Sequence, residues 1–421
     1  MLRVTTLYAS AAAATAGYCT KYLTQAEGEI AGVWAGKQAA RFGLSGPVDA
    51  ESLERLLSGC EPNSGITLGN PLVDRTLADG RVVRAVSGFD ATVSAPKSLS
   101  AWWALTGDQR LLDAHDAAVN ATIDTLQRYG ATTRIRSNGG RLHPDTEGLT
   151  IAAFRQSTSR LDDPQIHTHV VISAKVQVDD GRWFALDARA LKKHQRTLGG
   201  VYQSVLRAEL TERFGVRCGP IVHGQAEIDG MPQELLDVFS KRAAQVDGAL
   251  AVKEDEFRDR EQREPTRFEH AAMQREAATD TRRSKSGSTV PDLRARWVAE
   301  ADALGVTAAS LGIDIARVAR TPEPEQSLTT GDIERILAER ASTWHRLDVL
   351  RALTDELRPR AGMTGERWLA FLERCTDEVV SAGIDLDPAA SDILSSATRS
   401  RRDFTLSNFP LDPNRSRIPG R

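Results

Sequence analysis

The amino-acid sequence predicts an α+β protein in which strands and helices mix first and a helical C-terminal extension follows. Strand character is clearest in the β-branched run Val-Val-Ile at residues 170–172, inside a strand predicted over residues 166–178. Helix character is clearest over residues 108–129, where apolar residues from Leu112 to Leu126 recur on one face. From residue 188 onwards the predicted elements are helical.

The first hundred or so residues are predicted to alternate between short strands and helices. Alternating apolar residues predict a strand over Leu2–Tyr8, and an alanine-rich stretch at residues 9–23 predicts a helix. A further helix is predicted to begin with Ser94 as its N-cap and Pro96 in its first turn. The other elements predicted here are a turn at residues 34–37, an amphipathic helix at 49–57 and a hairpin at 80–93.

The rest of the chain is predicted to add strands and then helices. Strands at residues 132–135 and 149–154 precede the histidine-containing strand, and a turn at 179–181 leads to a strand at 183–186. A highly charged stretch at 253–285 marks the predicted boundary between a first domain and a helical extension. A polar tail that is predicted to be disordered follows the extension. These three parts are residues 1–290, 291–394 and 395–421. Helices after the last predicted strand are expected at 188–214, 232–249, 292–304, 330–341, 347–357 and 368–382.

Composition and charge narrow the classes of function. The 421 residues include 41% hydrophobic and 26% charged residues, as in a globular protein, and the net charge of −3 gives no global signal for nucleic acid. Any DNA contact must therefore come from a local patch. The four cysteines form no C-x-x-C pair, which argues against a zinc ribbon or a disulfide scaffold and fits a reducing cytoplasm. No run approaches the ~18 apolar residues of a membrane span, so membrane insertion is not expected.

Two histidines at alternate positions form the first candidate site. His167 and His169 share one face if residues 166–178 form a strand, and two neutral imidazoles on one face can hold a divalent metal. If the preceding segment pairs with this strand as a hairpin, the amide oxygen of Gln156 lies beside them. The alternatives are that the H-x-H pair is structural and that Gln156 is a polar strand residue.

Two tyrosines and an aspartate are the other candidates for chemistry. Tyr18 and Tyr22 lie one helical turn apart, and the alternative to function is an aromatic pair in the core or at an interface. Asp90 lies in a strand-like segment beside a turn, where an isolated aspartate is more often a turn or cap residue. No G-x-x-x-x-G-K-[ST] sequence occurs, so no ATP site is predicted.

Four motifs, taken together and in order, resemble the conjugative relaxases of the TrwC/TraI (MobF) family. They are Tyr18, GFDATVSAPKSLS at residues 88–100, TSRLDDPQIHTH at residues 158–169 and DGRW at residues 180–183. The similarity covers about residues 1–300, and the combination is far more specific than any one motif. It implies the HUH endonuclease fold, a central antiparallel sheet flanked by helices. It also implies an enzyme that nicks one strand of DNA at a plasmid origin of transfer.

The resemblance assigns roles by position. Tyr18 corresponds to the nucleophilic tyrosine, and Asp90 to the acidic residue that activates it. His167 and His169 correspond to two of the three metal-binding histidines, and Gln156 stands at the third position. Because an amide oxygen is a neutral and harder ligand than imidazole, the expected metal is Mg²⁺ or Mn²⁺. Attack would leave a 5′-phosphotyrosine, and religation would need no ATP.

Departures from the family pattern leave other functions open. Cys19 stands where the family often has a second tyrosine, so Tyr22 is the nearest residue for a second transfer. Many family members continue into a helicase, and residues 341–346 resemble the linker that precedes it. The expected partners are therefore a separate helicase, relaxosome accessory proteins and a coupling protein. The alternatives are a catalytically weakened origin-binding protein and a rolling-circle replication initiator.

Seven basic residues are candidates for phosphate contacts with single-stranded or extruded DNA. Two of them, Arg134 and Arg136, are two apart on a predicted strand and would share a face. For each residue alone, solvated surface charge is the alternative. The seven are Lys97, Arg134, Arg136, Arg160, Arg282, Arg283 and Lys285.

Overall fold

A computed structural model describes residues 2–22, 31–137, 140–142, 144, 146–282, 288–320, 328–382 and 403–404. Its strands are β1 (Leu2–Tyr8), β2 (Val33–Ala35), β3 (Arg75–Thr76), β4 (Val82–Val83), β5 (Val86–Ser94), β6 (Ile135–Ser137), β7 (Gly140–Leu142), β8 (Ile151–Thr158), β9 (Pro164–Ser173), β10 (Lys175–Gln177), β11 (Trp183–Ala185), β12 (Leu328–Thr329) and β13 (Asp403–Phe404).

The described helices outnumber the strands of the central sheet, and the last of them ends at Ala382. They are α1 (Ala12–Gly17), α2 (Lys37–Arg41), α3 (Ala50–Leu57), α4 (Lys97–Thr106), α5 (Gln109–Gly130), α6 (Ala188–Phe214), α7 (Gln233–Val238), α8 (Lys241–Glu261), α9 (Arg267–Asp280), α10 (Val290–Asp302), α11 (Ala308–Ala319), α12 (Thr330–Ala338), α13 (Arg346–Glu356) and α14 (Gly365–Ala382). A 3₁₀ turn (Ala9–Ala11) and a π-helical turn (Tyr18–Tyr22) flank α1. None of the helices described here is both long enough and apolar enough to cross a bilayer.

A five-stranded antiparallel sheet lies at the centre of the fold. Its strand order is β1-β5-β9-β8-β2, so β9 is hydrogen-bonded on both sides. The register places Ser94 of β5 and Gln156 of β8 on either side of His167. This arrangement confirms the α+β class, with the histidine pair on the middle strand and helices packed around the sheet.

The two faces of the sheet are covered differently because side chains alternate along each strand. Phe89 and Ile166 point to the face that is packed by α4, α5 and α6, where they join the main hydrophobic core. On the other face, Phe154 and Val171 pack with α1 and α3 in a smaller core. The N-terminal half of β9 on this second face carries polar side chains, which leaves room for a site.

The structure corrects three predicted elements before residue 106. Residues 34–37, predicted as a turn, begin within the edge strand β2, which pairs with β8. The predicted hairpin at 80–93 is divided, because β4 pairs with β3 whereas β5 lies between β1 and β9. The helix that follows begins at Lys97 with Pro96 as its N-cap, since Ser94 is still paired within the sheet. In all three cases pairing with distant strands overrides the local signal.

Among the helices that were not predicted from the sequence is α11. Its N-cap Thr307 forms a capping box with Ser310, where a serine stands in place of the usual Glu or Gln. Leu311 and Ile315, one helical turn apart, are buried in the main core. Because its only strong start signal is this atypical box, the helix was hard to recognise from local sequence.

The helices after residue 290 pack into the same core as the sheet. Trp297 of α10 is fully buried, and its ring centroid lies 6.1 Å from that of Trp103 in α4. Its Nε1 donates a hydrogen bond to the carbonyl oxygen of Asp162 at 2.7 Å. The predicted boundary at residue 290 is crossed by these contacts. It stays a prediction, and a nicking assay on a chain truncated there would test it.

Candidate active site

An open cleft of about 920 Å³ lies over the polar part of the second sheet face. Neighbouring strands form its floor, since Thr92 of β5 and His169 of β9 are paired and point the same way. The π-helical turn contributes to one wall, and α8 and α9 contribute to another. The predicted site residues that line the cleft are Tyr18, Asp90, Gln156, Arg160, His167, His169 and Arg282.

The Nδ1 atom of each imidazole in the histidine pair has a described hydrogen-bond partner. Nδ1 of His167 lies 2.8 Å from the carbonyl oxygen of Gln165, and Nδ1 of His169 lies 2.8 Å from Oδ2 of Asp90. Both partners are acceptors, so Nδ1 is the donor in each neutral ring. This tautomer leaves the lone pair on Nε2, as a metal ligand requires. The ring centroids are 5.2 Å apart, a separation that allows both rings to reach one ion.

Gln156 lies directly opposite His167 in the pairing of β8 with β9, and it is 2% exposed. The condition under which Gln156 was expected beside the histidines is therefore met. Within the described ranges, no group of three or more His, Cys, Asp or Glu side chains is placed to hold a metal ion. A three-ligand site among the described residues therefore needs a residue of another type, and Gln156 is the residue that is paired with His167 and lines the same cleft. Two imidazoles and an amide oxygen fit a divalent cation.

Asp90 contacts the histidine pair. In addition to the contact with His169, the hydroxyl oxygen of Thr92 lies 3.3 Å from Nδ1 of the same ring and 3.4 Å from Oδ1 of Asp90. A carboxylate at this position orients a metal-binding imidazole and raises its basicity. The sequence did not indicate this role, because the register of β5 on β9 is not visible in it. The predicted role of Asp90 beside Tyr18 stays a prediction.

Tyr18 opens the π-helical turn and faces the cleft. Its phenol oxygen accepts a hydrogen bond from Nη2 of Arg160 at 3.1 Å. The next residue, Cys19, is buried, and burial followed by the charge of Asp90 raises the pKa of its thiol to about 12. The thiol is therefore protonated near neutral pH and is a poor nucleophile. The side chain of Tyr22 lies outside the described residues.

The cleft is cationic although the chain as a whole has a net negative charge. Among the described residues that line it, five are arginines and Asp90 is the one carboxylate. One of the five, Arg242, is partly committed to the fold, because its guanidinium donates to the carbonyl oxygens of Ala278 and Thr281. Sequence reasoning missed three of these residues, which lie on β1, α8 and α9 in no recognisable motif. The five are Arg3, Arg160, Arg242, Arg275 and Arg282.

The sheet order, the paired histidines and the facing tyrosine match a known family. A family model described as TrwC relaxase matches residues 4–304, which is more than half of the chain. The chain belongs to the TrwC relaxase family. The matched range contains Tyr18, Asp90, Gln156 and both histidines, so the resemblance inferred from the motifs is confirmed.

Relatives of this TrwC relaxase include the much longer protein TraI and solved structures of TrwC. The multifunctional conjugation protein TraI of Escherichia coli is 32% identical over 302 residues, which cover 68% of this chain and 15% of TraI. The conjugative relaxase TrwC, solved with oriT DNA and metal, has a TM-score of 0.61 and 30% identity, covering 73% of this chain and 100% of that chain. TrwC complexed with a 27-mer DNA comprising the recognition hairpin and the cleavage site has a TM-score of 0.59 and 29% identity, with the same coverage of both chains. The chain therefore matches a small part of TraI.

Two further predicted DNA contacts of this TrwC relaxase, Lys97 and Arg134, are not in the cleft lining. Lys97 points into the protein, where its Nζ donates to the carbonyl oxygen of Pro164 at 2.9 Å and burial lowers its pKa to about 8. Arg134 is half-buried and does not line the cleft. Their roles in DNA binding stay predictions. The same holds for three residues whose side chains lie outside the described part of the chain, Arg136, Arg283 and Lys285.

Proposed function

We propose that this chain is a conjugative relaxase that nicks one strand of origin-of-transfer DNA by tyrosine transesterification and later religates it. The observation that carries the proposal is the cleft, in which Tyr18 accepts a hydrogen bond from Arg160 beside the histidine pair. The lining arginines suit a phosphate backbone. The solved TrwC chains that match over their full length were determined with oriT DNA, which supports the same substrate here.

The proposed chemistry exchanges one phosphodiester for another. The phenol oxygen of Tyr18 forms a bond to the scissile phosphorus while the bond to the 3′ oxygen breaks. The 3′ oxygen takes a proton from water, so the products are a 5′-phosphotyrosine and a free 3′-hydroxyl. Because a phosphodiester is retained, the reverse transfer needs no ATP. Arg160 stabilises the negative charge on the phenol oxygen as its proton leaves. Asp90 accepts that proton through Oδ1, the oxygen not bonded to His169.

The metal site is proposed from three side chains on one sheet face. His167, His169 and Gln156 would hold a divalent cation, which would polarise the scissile phosphate and offset the charge of the transition state. The metal-bound TrwC structure supports a metal of this kind. We propose Mg²⁺ or Mn²⁺, because an amide oxygen makes the donor set harder than three imidazoles would be.

Replacing Gln156 with histidine is expected to tighten metal binding. The position lies opposite His167, and imidazole is a stronger ligand than an amide oxygen. Calorimetric titration with Mn²⁺ should give a dissociation constant lower by about tenfold. The control is Gln177→His, a change of the same kind on β10, outside the cleft. Equal affinities for the wild-type chain and Gln156→His would show that residue 156 is not a ligand position.

The proposed activity has a direct test. The protein is incubated with Mg²⁺ and supercoiled plasmid carrying the cognate origin, and the products are separated on a denaturing gel. A single cut, with protein attached to the 5′ end, is the expected result. Specific binding without a cut would instead identify an origin-binding protein, the alternative that Gln156 and Cys19 leave open.

Asp90→Asn is expected to slow cleavage by about a hundredfold and to leave DNA binding nearly unchanged. The amide still accepts a hydrogen bond from His169 but cannot take a proton from the phenol. The comparison is made at saturating metal, so that a weaker metal site does not explain the loss. The control is Asp180→Asn in an exposed turn. Full activity once metal is saturating would limit Asp90 to orienting His169.

The partners are proposed on the same basis. TraI is a multifunctional conjugation protein, and this chain matches 15% of it. We propose that a separate helicase, relaxosome accessory proteins and a coupling protein act with this chain in the cytoplasm on single-stranded or extruded DNA. Strand unwinding of a nicked origin plasmid, measured with and without added helicase, tests the first of these partners.

A further inference from the structure

A buried arginine with unpartnered donors lies in a second pocket, which shares no lining residue with the cleft. Arg207 of α6 is 3% exposed, and its Nη2 donates to the carbonyl oxygen of Thr354 at 2.8 Å. Among the described residues, Nε and Nη1 of this guanidinium have no hydrogen-bond partner. Burial lowers its pKa to about 10, so the group is still charged near neutral pH. A buried charge with unmet donors is costly unless something accepts those hydrogens.

The pocket beside Arg207 has a volume of about 390 Å³ and an excess of positive charge. It is formed by the end of α6 with the loop that follows, the C-terminal end of α11, and residues 358–361 between α13 and α14. Its remaining lining residues are small, apolar or uncharged. Of the described residues that line it, five are arginines and none is a carboxylate. The arginines are Arg207, Arg217, Arg320, Arg358 and Arg360.

Asp229 and Asp355 lie near the pocket, and no carboxylate of the described residues accepts a hydrogen bond from Nε or Nη1 of Arg207. Asp229 pairs with Arg217 at 2.6 Å, at the edge of the pocket. Asp355 accepts a hydrogen bond from Nε of Arg351 at 2.7 Å, and its buried Oδ1 has no hydrogen-bond partner in the described part of the chain. Its charge favours the charged form of Arg207, although no hydrogen bond joins the two described side chains. Cys218 also lines the pocket, and its thiol carries no negative charge near neutral pH because burial raises its pKa to about 11.

We propose that this pocket is a binding site for a small phosphate-type oxyanion, with Arg207 at its base and Arg320 at its exposed edge. Guanidinium groups match the tetrahedral oxygens of phosphate in charge and geometry. The volume is in the range of small-ligand sites. Arg207 is almost fully buried at the base of the pocket. A free phosphate or a phosphate monoester is small enough to enter the pocket and reach it, whereas the diester backbone of a DNA strand would have to enter the protein. The site is independent of the proposed nicking reaction.

The test measures phosphate binding directly, by calorimetry and by phosphorus NMR, with sodium phosphate compared with sodium chloride at equal ionic strength. Saturable binding of phosphate is expected, and Arg320→Gln should weaken it by about fivefold or more. Arg317→Gln is the matched control. It removes an exposed arginine one turn earlier on α11, where Arg317 pairs with Asp314 and does not line the pocket. Arg207→Lys keeps the charge but removes the planar fork, and it should abolish binding if its circular dichroism shows a native fold.

Two further ligands distinguish the possible sources of the phosphate. Deoxyadenosine monophosphate should compete with inorganic phosphate if the site accepts monoesters, whereas competition by phosphate alone would restrict it to the free ion. Competition by an oligonucleotide without a terminal phosphate, lost in Arg320→Gln, would overturn the small-ligand assignment. A response equal to that of chloride, or equal losses in Arg320→Gln and Arg317→Gln, would overturn the site itself. The donors of Arg207 would then be met by water shared with Asp355.

Discussion

Tyr18→Phe is expected to abolish the covalent protein–DNA adduct while leaving the fold and metal binding intact. The change keeps the ring and removes only the hydroxyl that accepts from Arg160. The adjacent Cys19 is buried and protonated, so it cannot take over. Cleavage of a single-stranded origin oligonucleotide should fall by at least about a thousandfold, as it does when an enzyme loses its nucleophile. Denaturing gels measure the loss.

Two other tyrosines serve as comparisons for this prediction. Tyr8→Phe is the matched control, because Tyr8 ends β1, is 37% exposed and does not line the cleft. Tyr22→Phe should keep the first cut and lose only a second transfer, if one occurs. Mass spectrometry of the wild-type adduct is the decisive measurement. A nucleotide found on Tyr22 instead of Tyr18 would overturn the assignment.

The double variant His167→Ala and His169→Ala is expected to lose metal-dependent cleavage and metal binding together. Both rings lie on one sheet face with their centroids 5.2 Å apart, and their Nδ1 contacts leave Nε2 for the metal. Without both ligands, cleavage at a fixed concentration of Mn²⁺ should fall by at least about a hundredfold. Calorimetry should show the loss of one bound ion.

The matched control removes two imidazoles elsewhere. His194 on α6 and His270 on α9 do not line the cleft, and their replacement by alanine should leave both measurements unchanged. Thermal melts of both double variants check the fold, since β9 is central to the sheet. Full metal-dependent cleavage in the His167→Ala and His169→Ala protein would refute the metal site.

Much of the architecture follows from local sequence. The helices α5 and α6 were predicted at or near their observed bounds, because their periodicity extends over many residues. The strand of His167 and His169 was predicted over residues 166–178, but β9 ends at Ser173 and residues 175–177 form β10, which pairs with β11. The pairing of the Gln156 segment with the histidine strand was considered only as a condition for a shared site, and the register of β8 on β9 meets that condition.

What the sequence did not show depends on contacts between distant segments. The hydrogen bond from His169 to Asp90 follows from the register of β5 on β9, which the local pattern does not specify. Arg3 and Arg275 enter the cleft because β1 and α9 are brought to it by the fold, and neither lies in a motif. The short edge strand β2 was predicted as a turn because three residues carry too little periodicity to identify.

The arginine-lined cleft concentrates positive charge on one part of a chain whose net charge is −3, so DNA meets a different charge depending on the side it approaches. At a distance, the excess of negative charge repels a polyanion, and only an approach with the cleft foremost is attractive. At physiological salt the Debye length is about 8 Å, so the distant repulsion is largely screened while contacts inside the cleft remain. A uniformly basic protein would adhere to any duplex. This distribution of charge instead favours brief encounters with unrelated DNA and lasting ones only where a strand enters the cleft.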